Sequence, residues 1–137
     1  MHIREYQEWL QAYDEARGWH RVSPSQTLVH VMEEVGEVAR LVLTLEGYRD
    51  APEDDAALRA HLQEELADAA TFLFKIAYQY GLDMEAGLQG NMRKAEERYP
   101  VDQGREDMAR YLERQRANLR WMEGGDPRTP EGGGGPP

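Results

Sequence analysis

The sequence contains no cysteine, which rules out disulfides and any thiolate-held metal. It has almost no lysine: Lys75 and Lys94 are the only two, so basic charge rests on arginine. No window reaches the unbroken apolar length that spans a bilayer. The N-terminal MHIREYQEWLQAYDE is polar and charged, without the apolar stretch of a secretion signal. A soluble, cytoplasmic protein with no membrane partner is expected. Positive charge is also in deficit. Sixteen Lys and Arg against twenty-six Asp and Glu leave a net charge of −10, a field that repels a nucleic-acid backbone and argues against a DNA or RNA polymer as partner. A small anionic substrate stays open, because bound divalent cations reverse the local potential. The acidic excess is equally compatible with a plain role in solubility.

Strand patterns and internal repeats are missing, and helical periodicity is what the chain offers. Ile3, Tyr6, Leu10 and Tyr13 share one face of a helix over about 3–17, broken by Gly18. A second helix starts at Ser23 as N-cap, with Pro24 at its first position and Gln26 completing a capping box, and stops at Gly47. A third runs from about Asp55 to Tyr80 and ends at Gly81. Asp83 can cap a fourth, which Pro100 terminates, and a fifth spans about Arg105 to Met122 with Met108, Tyr111, Leu112, Leu119 and Met122 on one side. The expected architecture is an all-α antiparallel bundle of about five helices forming one domain over 1–123. The Gly- and Pro-rich segment 124–137, GGDPRTPEGGGGPP, reads as a disordered tail.

Within this pattern, VMEEVGEVARLV (31–42) and LQEELADAATFLF (62–74) place acids on or beside apolar stripes. The helical neighbours of Glu65 are Leu58, Leu62, Ala69 and Phe72; those of Glu34 include Val31, Val38 and Leu41. Glu37 and Asp68 lie at the edges of the same stripes. An unpaired buried carboxylate costs several kcal/mol and escapes by protonation, pairing or a metal. With lysine scarce, a hard divalent cation such as Mg²⁺, which prefers oxygen ligands, suits two acidic pairs on adjacent helices. A solvated bundle rim is the alternative reading of the same pattern.

The two pairs together, EEVGE and then, after twenty-seven residues, ELAD, resemble the E-x-x-E … E-x-x-D signature of MazG-like all-α nucleoside triphosphate pyrophosphohydrolases. RYP at 98–100 resembles the segment that closes the next helix in that family. The resemblance covers about residues 20–100 and extends loosely to the first helix, but not to the fifth helix or the tail. It implies that Glu34, Glu37, Glu65 and Asp68 hold Mg²⁺, with Mn²⁺ as substitute. Water would then attack the α-phosphorus of a nucleoside triphosphate, releasing a nucleoside monophosphate and pyrophosphate, with Glu37 or Glu34 as base. It further implies a homodimer or homotetramer that completes the bundle, and an aromatic base-stacking residue in the segment holding Trp19. Asn91, Lys94 and Arg98 form one ridge of the fourth helix suited to phosphate. Relatives carry Lys before Asn there, and this chain reverses the order.

Other residues admit two readings each. Glu33 and Glu64 point about 100° away from the motif acids and read as solvated. His30 and His61 each stand four residues before a motif glutamate, as packing residues or ligands. Lys75, on the face of Asp68, is a partner of the acids or a snorkelling side chain. Trp9 and Tyr13 read as core of the first helix. Three rival functions share parts of the pattern: a phosphoribosyl-ATP pyrophosphohydrolase, a non-catalytic helical interaction module, and a di-iron carboxylate bundle. The last uses Glu-x-x-His pairs, an order this chain lacks.

Overall fold

Local chemistry sets where each helix begins and ends. The structure is a computed structural model that describes residues 1–51 and 54–124. Among the described residues there is no strand, and five helices follow one another: α1 (Ile3–Arg17), α2 (Pro24–Leu45), α3 (Asp55–Gln79), α4 (Met84–Arg98) and α5 (Val101–Met122). A single 3-10 turn, Trp19–Arg21, joins α1 to α2. Gly18 takes a left-handed conformation (φ 72°) that lets the chain leave α1 and enter this turn. The Ser23 hydroxyl accepts from the Gln26 N–H at 3.3 Å, and Pro24 follows as the first residue of α2. Asp83 caps α4 as expected, accepting from the Ala86 N–H at 3.1 Å. Its carboxyl is held below the usual range by that backbone bond, with the Arg4 guanidinium assisting.

α5 begins four residues earlier than the sequence suggested. Pro100 cannot continue α4, but its φ of −53° suits an N-cap, and the Gly104 N–H bonds to its carbonyl at 2.9 Å. Of the expected tail, residues 125–137 lie outside the described residues, as do Pro52 and Glu53 of the α2–α3 connection.

Backbone packing divides the chain into two compact units, residues 1–89 and residues 90 onward. In the first, α2 and α3 form an antiparallel hairpin packed along its length, and α1 lies against α3. Its core is Leu10, Val31, Leu41, Leu58, Ala69 and Ala77. Leu41, fully buried, sits one turn before the C-terminal end of α2. Trp9 departs from expectation: it is 54 % exposed rather than core. Its ring instead joins a line of tilted contacts, 5.6 Å from Tyr6 and 5.1 Å from Tyr13. The second unit holds the rest of α4 and α5, where Met108, Tyr111, Leu112, Leu119 and Met122 are all exposed. No helix among the described residues is long and apolar enough to cross a membrane.

Candidate metal centre and adjoining cleft

The α2–α3 hairpin brings acids from two helices together. Glu34 from α2 meets Glu65 and Asp68 from α3, with one carboxylate oxygen of each within 4.8 Å of the others. Asp68 is exposed and the two glutamates are half-buried. Spacing explains the convergence: Glu65 and Asp68 are one turn apart on α3, and the helix they face carries Glu34 within its core stripe. The charges that act on Glu34, those of Glu65, Asp68 and Glu33, are all negative. Partial desolvation first, then a hydrogen bond with Glu65 and these charges, hold the Glu34 carboxyl above the ordinary carboxylate range.

Glu37 stands apart from this group. Its carboxylate pairs with Arg40 on the next turn at 2.9 Å, half-exposed to solvent. His61 does reach the cluster: Glu65 Oε1 accepts from His61 Nε2 at 2.9 Å, a bond that restrains the carboxylate. His30 bonds Glu33 at 2.7 Å rather than Glu34, and its ring stacks on Phe72 at 5.2 Å. Glu33 and Glu64 are exposed, in keeping with solvated acids.

Beside Asp68 opens a cleft of about 330 Å³, walled by Trp9, Tyr13, Trp19 and Phe72 with Thr71 and Lys75 below. Trp19 is half-exposed and meets Tyr13 edge-on at 5.8 Å. The Arg17 guanidinium covers the Tyr13 ring at 3.4 Å. The floor holds a group the sequence did not reveal. Lys75 is buried, neither snorkelling nor paired with the acid cluster, and its ammonium contacts Asp14 Oδ2 at 2.7 Å. Tyr78 donates to the same oxygen at 2.5 Å. Burial, then the hydrogen bond to Asp14 and its charge, push the Tyr78 phenol well above its usual range, so it stays a donor. The available signal was weak: Asp14 follows Leu10 by one turn, and Lys75 shares a face with Phe72.

Asn91, Lys94 and Arg98 belong to the second unit, where all three are exposed on α4. The Arg98 guanidinium lies 5.5 Å from the ring of Tyr99.

Residues 22–101 match the MazG nucleotide pyrophosphohydrolase domain. The chain belongs to this family. As a MazG-family protein it shares 30 % identity over 103 residues with the uncharacterized protein YvdC of Bacillus subtilis, covering 72 % of this chain and 97 % of YvdC. It is also 30 % identical over 116 residues to dCTP pyrophosphatase 1 of Rattus norvegicus, covering 81 % of this chain and 68 % of that protein. The matched MazG segment contains both acidic pairs and the whole of α2, α3 and α4. These likenesses support nucleotide pyrophosphohydrolase activity as the general function of the chain.

Proposed function

We propose that the protein hydrolyses a nucleoside triphosphate between its α and β phosphates, giving a nucleoside monophosphate and pyrophosphate, with Mg²⁺ or Mn²⁺ held by Glu34, Glu37, Glu65 and Asp68. The observation that carries this reading is the meeting of Glu34, Glu65 and Asp68 within 4.8 Å. Three carboxylates this close repel one another, and the Glu34 carboxyl is raised above the ordinary range by desolvation first, then by its hydrogen bond with Glu65 and by these charges. The donor set is all hard oxygen, which fits Mg²⁺ or Mn²⁺ and not a softer ion. A divalent cation bound there supplies charge neutralisation for the triphosphate and a more acidic water.

The chain's own residues do the rest. His61 keeps the Glu65 carboxylate from swinging away. For Glu37 to join the other three acids, its ion pair with Arg40 would have to be released. Glu37 or Glu34 takes the proton of the attacking water as its oxygen bonds to the α-phosphorus. The bridging P–O bond to the β phosphate then breaks, and its electron pair leaves with pyrophosphate. Trp19 and its aromatic neighbours stack the nucleobase in the cleft beside Asp68. Asn91, Lys94 and Arg98 make an exposed polar ridge within the second unit, proposed by its own chemistry as phosphate-binding.

The active form is a homodimer or homotetramer. Leu28, Met32 and Val35 on α2 are 52 %, 62 % and 45 % exposed, an apolar row that a second copy of α2 would cover. The functional test is a panel of ribo-, deoxy- and modified nucleoside triphosphates, with phosphoribosyl-ATP included, assayed with Mg²⁺. The dCTP pyrophosphatase relative makes dCTP the first to try. Pyrophosphate release from a nucleoside triphosphate is the expected result. Release of orthophosphate, or no release from any of them, contradicts the proposal.

A further inference from the structure

A buried charge pair has to be explained, because burying two ions rarely stabilises a fold more than two well-packed apolar residues would. Asp14 and Lys75 are 3 % and 6 % exposed, yet 61 positions apart in sequence. The Lys75 ammonium has a second contact besides Asp14: it donates to the backbone carbonyl of Trp19 at 3.1 Å. One turn further along α3, Gln79 Nε2 donates to the carbonyl of Val22 at 2.6 Å. Trp19 opens the 3-10 turn and Val22 caps its end. Two side chains four residues apart on α3 therefore pin both ends of the turn that carries the Trp19 ring.

The same helix bears Glu65 and Asp68. Lys75 is two turns from Asp68 on one face, a rise of about 10 Å, and the aromatic cleft spans the interval between them. We infer that Lys75, charge-balanced by Asp14, and Gln79 are positioning residues that fix the Trp19 wall of the cleft relative to the acid cluster, and so set affinity for the nucleobase. The inference rests on the nucleotide reading above. A 3-10 turn has few bonds of its own, so without these tethers the wall drifts while the acids stay in place. Base contacts far from the reacting phosphorus contribute equally before and at the transition state. Their loss accordingly raises KM and spares kcat.

The test combines Lys75→Met with Asp14→Asn in the full chain, removing both charges while leaving an acceptor for Tyr78. The tether predicts a KM for the preferred nucleotide raised about tenfold, with kcat within about threefold of wild type. In a Trp9→Phe, Trp121→Phe background, acrylamide should quench Trp19 about twofold more efficiently in the variant. Gln79→Ala, which disturbs no charge, should move both readings the same way and decides the matter if the double variant does not fold. Unchanged KM, a kcat loss as large as the KM rise, or unchanged quenching of Trp19 each overturns the inference. A wild type that releases no pyrophosphate defeats the nucleotide reading instead, and the quenching comparison then decides the tether by itself.

Discussion

Glu65 is the residue on which the proposed chemistry turns, because it joins the acid cluster while being held by His61. Replacing Glu65 or Asp68 by Ala should lower Mg²⁺-dependent pyrophosphate release by at least about a thousandfold, as expected when charge stabilisation at the reacting centre is lost; turnover near wild type would refute the assignment. Glu34 makes a prediction about pH. Its folded-state pKa is raised, so the stability it contributes is fully present below the ordinary glutamate pKa and is lost as pH rises through the raised value. With chelator present, Glu34→Gln should therefore melt above wild type at neutral pH, and the gap should close below the glutamate range. Thermal melts at two pH values check this, and a neutral-pH melt below wild type would contradict it. The meeting of Glu34 with Glu65 and Asp68 was legible from two i,i+3 pairs on consecutive helices. The engagement of Glu37 was not, although Arg40 stands at the i+3 position that local pairing favours. Asp14 and Lys75 were illegible for another reason: a pair so distant in sequence leaves no periodic trace.

At the scale of elements, the α2–α3 hairpin is what holds the acids together. Leu41 is fully buried, and truncation of such a leucine leaves a cavity. Leu41→Ala should cost about 2–5 kcal/mol in urea denaturation, with the cation affinity of the acids weakened in the fraction that remains folded. A loss below about 0.5 kcal/mol would mean the hairpin is not packed as described. Helix ends were the best-read part of the fold, since Gly18, Ser23, Pro24 and Asp83 act through their own backbone and side-chain geometry. The start of α5 was missed because Pro100 both ends one helix and caps the next. Trp9 was misplaced because periodicity marks an apolar face without saying whether another element covers it.

For the whole molecule, the exposed apolar row on α2 is the surface on which the proposed self-association rests. Met32→Asp with Leu28→Asp should convert the proposed dimer or tetramer to a monomer in sedimentation equilibrium; a wild type already monomeric at micromolar concentration would remove the oligomer from the account. Net charge of −10 also bears on the metal: monovalent salt should weaken cation binding to the half-exposed cluster by screening. Bound at about 100 times its Kd, a cation that recognises only the folded chain stabilises it by about 2.7 kcal/mol. The most direct test is calorimetric titration of Mn²⁺ and Mg²⁺ into the metal-free protein, alongside Glu65→Gln with Asp68→Asn. Saturable binding by the wild type that the double variant loses is the predicted result. Equal binding by both, or none by either, would contradict the claim that these acids hold a cation.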